Sequence, residues 1–309
     1  MGRIYNSILE LVGNTPLVRL HHFEQEEETL AEIYAKIEFF NPAGSVKDRI
    51  ALSMVEAAER EGRLKPGGTI IEGTSGNTGI GLAAVAAAKG YKAIICMPEN
   101  MSRERVQILK GYGAQVVLTP AELSMSGAGQ KAQEILEKTE NAIIVGQGGN
   151  PNNPDAHYRT TGPEIWEDTD GSIDILVAAV GTGGTITGTG SFLREKNPAL
   201  QIIGVEPAGC PVLSGGEAGP HKIQGIGGGM IAPVTKMELM DEILTVTDDA
   251  AYEYARKSAV LEGISIGISS GAALEAAIRV AKRPENKGRR IVVIFPDSGE
   301  RYLSSGLYE

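Results

Sequence analysis

Apolar positions along this chain switch repeatedly between two rhythms. Short runs of Val, Ile, Leu and Ala suit strands, and between them apolar residues recur at the spacing of a helix face. Strands are expected at 31–40, 69–72, 92–97, 115–119, 142–145, 173–180, 201–206, 243–246 and 290–295. Helices are expected from Arg49 onward, where Ile50, Ala51, Met54, Val55 and Ala58 share a face, and over 79–89, 103–110, 127–138, 158–166 and 270–282. Two further helices end near Lys196 and Leu261, the second with Asp248 or Asp249 as its cap. Gly90 closes one helix and Pro98 stops one strand. This alternation means βαβ units, an α/β fold and mostly parallel sheets, with ligands at the carboxyl ends of the strands. A loop of Gly, Asn and Pro at 147–154 divides the chain into 1–150 and 151–309. The stretch 210–233 is too rich in Gly and Pro for regular structure, and the acidic run at 24–28 reads as a solvated loop.

Composition narrows the partners. A formal net charge of −10 argues against nucleic acid, which calls for a basic surface. It leaves small anionic substrates open, because a basic pocket fits within an acidic protein. The 40 glycines fall in clusters, where backbone comes close to something or turns tightly at a strand end. Cys96 lies in an apolar run and reads as a buried thiol, and with Cys210 distant from it no disulfide framework is expected. The His residues lack metal spacing, so no metal site is expected. No early apolar segment reads as a signal peptide, and no run approaches the ~18 apolar residues of a membrane span. The expectation is a soluble, cytoplasmic protein without a membrane partner.

Four polar loops adjoin apolar strands. In NPAGSVKDR, at 41–49, Lys47 sits where a loop feeds a helix N-terminus. The helix dipole opposes an ammonium there, which favours a neutral, nucleophilic lysine. A solvated lysine paired with Asp48 or Glu38 is the plainer alternative. In TSGNTG, Thr74, Ser75, Gly76, Asn77 and Thr78 offer hydroxyls, an amide and free N–H groups to a carboxylate or other anion, where a simple capped helix start needs only one of them. In GTGGT, Gly181, Thr182, Gly183, Gly184 and Thr185 follow a strand and open a helix, as a phosphate requires, although a tight turn has the same composition. GxxxxGK[ST] is absent, which excludes an ATPase P-loop. GISSG, at 267–271, matches a nucleophile elbow, but none of the four histidines follows Ser269 in the chain as that hydrolase order demands. A lone GxGxxA at 79–84 is weak evidence of dinucleotide binding, because its first Gly stands well beyond the strand.

Taken together, these loops resemble the cysteine synthase (O-acetylserine sulfhydrylase) family. VGNTPL at 12–17, TTGPEIW at 160–166, PHKIQGIG at 220–227 and GISSGA at 267–272 extend the likeness over nearly the whole chain. The resemblance implies a two-domain fold-type-II enzyme dependent on pyridoxal 5′-phosphate, a homodimer, and a site in the cleft between domains. It further implies that an early segment, about 13–35, crosses to the second domain. Lys47 resembles the Schiff-base lysine and catalytic base. Asn77 is placed on the ring hydroxyl, Gly181 to Thr185 on the phosphate, and Ser269 on the pyridine nitrogen. Thr74, Ser75, Gly76, Asn77, Thr78 and Gln147 are placed on the substrate carboxylate. The implied reaction is O-acetyl-L-serine plus sulfide to L-cysteine plus acetate.

Two departures bear on specificity. The family's Gln-Phe is Gln147-Gly148 here, and its GIGAGF is Gly225-Ile226-Gly227-Gly228-Gly229-Met230. Losing two aromatic side chains should enlarge the cleft at Gly148, Gly225 and Met230. A bulkier thiol or amine nucleophile, or a donor such as O-phosphoserine or cysteine, is the alternative chemistry. The same departures weigh against the docking of a serine acetyltransferase tail known in the family. A non-catalytic binding or regulatory protein on the same fold is the remaining alternative, opposed by the complete set of Lys47, Asn77, Ser269 and GTGGT.

Overall fold

A computed structural model describes residues 4–74 and 76–309. Ten strands form two sheets. The smaller contains β3 (Thr69–Gly73), β4 (Lys92–Pro98), β5 (Gln115–Thr119) and β6 (Ala142–Ile144), all parallel, in the order β5-β4-β3-β6. The larger contains β1 (Leu17–Arg19), β2 (Glu32–Ile37), β7 (Ile175–Ala179), β8 (Gln201–Pro207), β9 (Glu242–Val246) and β10 (Arg290–Phe295), in the order β1-β2-β10-β7-β8-β9. Only β1 runs antiparallel to its neighbour, with Val18 opposite Ala35. Strand β2 lies parallel to β10, Ile33 beside Ile291 and Ile37 beside Phe295. The N-terminal strands therefore belong to the sheet that the last strand completes.

Both sheets are covered on two faces, which is why their strands read as continuous apolar runs. In β10, Ile291, Val293 and Phe295 face one core while Val292 and Ile294 face another. Helices α9 (Asp248–Leu261) and α10 (Ile268–Ala281) cover the first face, and α7 (Thr161–Asp168) and α8 (Gly184–Lys196) the second. In the small sheet, Ile70, Ile95 and Met97 pack under α2 (Lys47–Arg60) and α3 (Asn77–Lys89), whereas Ile71 and Cys96 pack under α5 (Ser124–Leu136). Cys96 is fully buried, and burial pushes its thiol up to about 11, so it packs as an apolar residue. Helices α2 and α3 approach closely because Gly81 lacks a side chain: a Cβ there would lie 3.0 Å from the Lys47 carbonyl oxygen. The remaining helices are α1 (His21–Glu26), α4 (Arg103–Gly111) and α6 (Asn152–Arg159). No helix among the described residues is long and apolar enough to cross a membrane.

Several expectations change in detail. The strand expected at 31–40 stops at Ile37, and a 3-10 turn over Glu38–Phe40 brings the Glu38 carboxylate to Arg49. The helix expected at 158–166 is two helices broken at Thr160, and the one expected from 127 starts at Ser124. The cap of α9 is Thr247, whose hydroxyl accepts from the Ala250 N–H, with Asp248 and Asp249 in the first turn. The acidic run at 24–28 is not merely solvated. Glu24 accepts from Arg19, and Glu27 accepts from Lys282 at 2.6 Å and from Tyr254 at 3.2 Å.

A buried charge cluster joins the two halves of the chain. Arg49 donates to Glu38 at 2.7 Å and to Glu164 at 2.6 Å, and Lys36 meets Glu164 at 3.0 Å. Burial alone would raise both carboxyls, but Arg49 beside them holds Glu38 and Glu164 below the usual carboxylate range. Removing the guanidinium leaves the buried Glu38 without its ion-pair partner, which costs roughly 3–5 kcal/mol. Arg49→Ala is therefore expected to lower the midpoint of chemical denaturation steeply at neutral pH. Depressed folded pKa values mean the stabilisation is present above the unfolded carboxylate pKa and is lost as pH falls through the folded one. The deficit of Arg49→Ala relative to the native chain should therefore shrink on acidification, as denaturation curves across acidic pH would report.

Candidate active site

Lys47 is the first residue of α2, not a loop residue before it. The loop that delivers it is fixed on all sides. The Val46 N–H donates to the Pro296 carbonyl at 2.8 Å, Asp48 accepts from the Ala43 N–H at 2.6 Å, and Arg301 donates to the Ala43 carbonyl. Asn41 donates to the Glu38 carbonyl at 2.8 Å and accepts from the Gly13 N–H at 2.8 Å. The partners proposed for a solvated Lys47 are thus engaged elsewhere: Glu38 holds Arg49, and Asp48 holds the Ala43 N–H. Lys47 itself is half-buried. Burial brings its amine below the ordinary lysine value, against the opposing pull of Asp297 and Glu38. The helix N-terminus acts in the same direction as burial.

Most of the other predicted residues are joined to one another, directly or through one shared partner, by hydrogen bonds or close contacts. Asn77 begins α3, where its side-chain amide donates to Asp297 at 2.7 Å and its carbonyl accepts from Arg301 at 2.6 Å. Thr78 donates to the Gln147 side chain at 2.6 Å. Gln147 is steadied from behind, since Glu72 accepts the N–H groups of Gly146 and Gln147 at 2.9 and 3.3 Å. Asn153 donates both to the Gln147 carbonyl, at 2.8 Å, and to the Thr182 hydroxyl, at 3.1 Å, joining the anion loop to the phosphate loop. A Cβ on Gly181 would lie 2.7 Å from the Gly225 carbonyl oxygen, and one on Gly225 would lie 3.9 Å from the Ser269 hydroxyl. Thr74 is buried and its N–H donates to the Cys96 carbonyl at 2.9 Å. Ser75 lies outside the described residues.

The Gly181–Thr185 loop has a backbone that suits an anion. Gly183, with φ +75°, turns the chain into α8, and no side chain caps the helix start at Gly184 and Thr185. Its leading N–H groups are available to an anion. Behind the loop, His157 holds the Thr185 hydroxyl at 3.2 Å and the Thr161 hydroxyl at 2.8 Å. Burial, with Arg49 and Lys47 nearby, drives this imidazole well below its ordinary pKa, so it is neutral. Ser269 is the second residue of α10, which also begins without a side-chain cap, and is 4% exposed.

Two predicted residues stand apart. Met230 is 69% exposed, in the irregular stretch that follows the Gly225 loop. Gly148 lies beside Gln147 in space that a side chain could enter: its Cβ would meet only the Ala232 Cβ, at 3.8 Å. Sequence reasoning missed Asn153, His157, Asp297, Arg301 and Tyr302. Asp297 carried a readable signal, a charged residue just past an apolar strand, the same placement that marked the phosphate loop.

These contacts bring a depressed lysine amine, an uncapped helix start suited to an anion, an amide and a serine hydroxyl together near the carboxyl ends of parallel strands. That donor set suits a phosphorylated ring cofactor carrying an aldehyde. A family model described as pyridoxal-phosphate dependent enzyme matches residues 8–297, and this chain belongs to that family. Its cofactor is pyridoxal 5′-phosphate, in an α/β fold-type-II architecture. Cysteine synthase of Staphylococcus aureus (strain Mu50 / ATCC 700699) is 51% identical over 304 residues, 98% of this chain and 97% of that protein. Among solved structures, cysteine synthase of Entamoeba histolytica superposes with a TM-score of 0.95 at 47% identity, covering 99% of this chain and 91% of that one. A hydrogen sulfide-producing enzyme of Fusobacterium nucleatum superposes with a TM-score of 0.94 at 45% identity, covering 97% and 100%.

Asp48, under the lysine loop, gives this site a pH-dependent stability. Burial pushes its carboxyl up to about 7, against the Ala43 N–H and Arg301, which favour the charged form. A folded pKa above the unfolded one means that ionisation costs stability as pH rises from about 4 towards 7. Asp48→Asn removes that cost while keeping an acceptor for the Ala43 N–H. The variant should gain melting temperature relative to the native chain at pH above 7 and lose that advantage near pH 4.

Proposed function

We propose that this protein catalyses β-replacement on a β-substituted L-serine, with O-acetyl-L-serine and sulfide giving L-cysteine and acetate. The observation that carries the reading is the 51% identity with a cysteine synthase over 98% of the chain. The geometry of the cleft supports it. Bound pyridoxal phosphate supplies an electron sink for the amino-acid Cα. The substrate carboxylate docks on the Thr74 to Thr78 loop, where the N–H groups at the start of α3 and the Thr78–Gln147 pair receive it. Lys47 would bond the cofactor aldehyde through its amine and would serve as the base for the substrate Cα proton, a role that its lowered pKa favours. Ser269, at the uncapped start of α10, would offer its hydroxyl to the ring nitrogen, and Gly181 to Thr185 would hold the phosphate.

The open space at Gly148 supports a second reading of the acceptor: a thiol or amine larger than sulfide. O-phosphoserine and cysteine are the alternative donors. The reading also includes a homodimer in the cytoplasm, and the changes at Gly148 and Met230 weigh against docking of a serine acetyltransferase tail. The complete set of Lys47, Asn77, Ser269 and the Gly181 to Thr185 loop argues against a purely regulatory protein on this fold.

Turnover measurements decide among these. O-acetyl-L-serine with sulfide should yield cysteine, and Lys47→Ala should lose at least about 10³-fold in rate, as loss of a nucleophile and base does. No cysteine from the native protein would contradict the reading. Gly148→Phe should lower kcat/KM for bulky thiols more than for sulfide if the larger acceptor is the true one. A strong sulfide preference that Gly148→Phe leaves unchanged would exclude it.

A further inference from the structure

Asn77 is a side-chain amide held between two opposite charges. Its Nδ2 donates to Asp297 Oδ2 at 2.7 Å, and its Oδ1 accepts from an Arg301 amino group at 2.6 Å. An amide has nearly the same shape after a half-turn, so its orientation depends on its partners. Flipping Asn77 would point its carbonyl at a carboxylate and its amino group at a guanidinium. Two charge-assisted hydrogen bonds would become two repulsions, in a place where Asp297 is 1% and Arg301 6% exposed and water screens little.

The clamp is itself anchored. Tyr302 donates to the same Asp297 oxygen at 2.6 Å, and Arg301 uses a second amino group on the Ala43 carbonyl of the lysine loop. Asp297 Oδ1 is buried without a hydrogen-bond partner among the described residues, over Gly267, where a Cβ would lie 1.9 Å away. The Asp297 charge also reaches Lys47, where it opposes the effect of burial.

We propose that Asp297 and Arg301 are positioning residues for the cofactor: together they fix the Asn77 amide in one orientation, leaving its second amide hydrogen for the cofactor ring. This rests on the reading of Asn77 as a cofactor-facing residue. Neither Asp297 nor Arg301 needs to touch the reacting atoms for the role.

The test uses the holoenzyme and two readouts that do not depend on turnover: the visible absorbance band of the bound cofactor across neutral pH, and the rate of cofactor loss on dilution. Asn77→Ala should move the band and speed loss about tenfold, the scale of one charge-assisted hydrogen bond. Asp297→Asn and Arg301→Lys should each move the band in the same direction. The Asn77→Ala/Asp297→Asn double variant should do no more than Asn77→Ala alone, because the acid acts through the amide. Tyr302→Phe should lower the melting temperature and leave the band in place. If Asn77→Ala moves the band but either charged-residue variant does not, or if the double variant is additive, the proposal is overturned and the reading of Asn77 stands. If Asn77→Ala leaves the band unmoved, that reading fails and takes the proposal with it. Should Asp297→Asn not fold, Arg301→Lys and its double variant with Asn77→Ala carry the same comparison.

Discussion

Three loops from distant parts of the chain meet on two residues, Pro296 and Asp297, where the last strand ends. The lysine loop donates to the Pro296 carbonyl, the Gly267 N–H donates to the Asp297 carbonyl at 3.0 Å, and Asn77 donates to the Asp297 side chain. Strand β10 lies inside the larger sheet, paired with β2 on one side and β7 on the other. Its exit point is therefore set by two ladders of hydrogen bonds and by apolar packing on both faces. Loops attached to that exit inherit its rigidity. This is how a chain whose lysine, amide and serine are far apart in sequence holds them to hydrogen-bond tolerance, which catalytic geometry requires.

The same arrangement explains the electrostatics. Lys47, Asn77, Gly184 and Ile268 each open a helix, and none of these four starts carries a side-chain cap. Uncapped N–H groups and aligned dipoles favour anions. They also disfavour an ammonium, in the same direction as the burial that lowers the Lys47 amine. The principal buried charges are partnered. Glu38, Arg49 and Lys36 are buried as one network, and Asp297 is buried against Asn77 and Tyr302.

The α/β rhythm was legible because doubly covered strands must be apolar along their whole length, and such runs are hard to mistake. The phosphate and anion loops were legible because small polar residues clustered between strand and helix have few other uses. Boundaries were less so: Glu38 leaves its strand to reach Arg49, and the helix breaks at Thr160, whose backbone leaves the helical region. Arg301 and Tyr302 look like ordinary residues of a turn, and although Asp297 stands out just past an apolar strand, the meeting of Asp297 and Arg301 with Asn77 more than 200 residues away is a property of the fold alone. The substrate carboxylate loop needed the family resemblance to be tied to Gln147, although the structure joins them directly through Thr78.

The central claim is that this cleft is built around Lys47 as the lysine that bonds the cofactor. Borohydride reduction of the cofactor-loaded protein, followed by digestion and mass analysis of the peptides, tests it directly. The account predicts one added pyridoxyl phosphate, carried by the peptide containing Lys47. The same mass on a peptide holding any other lysine, or no retained mass from a protein that binds the cofactor, would contradict it.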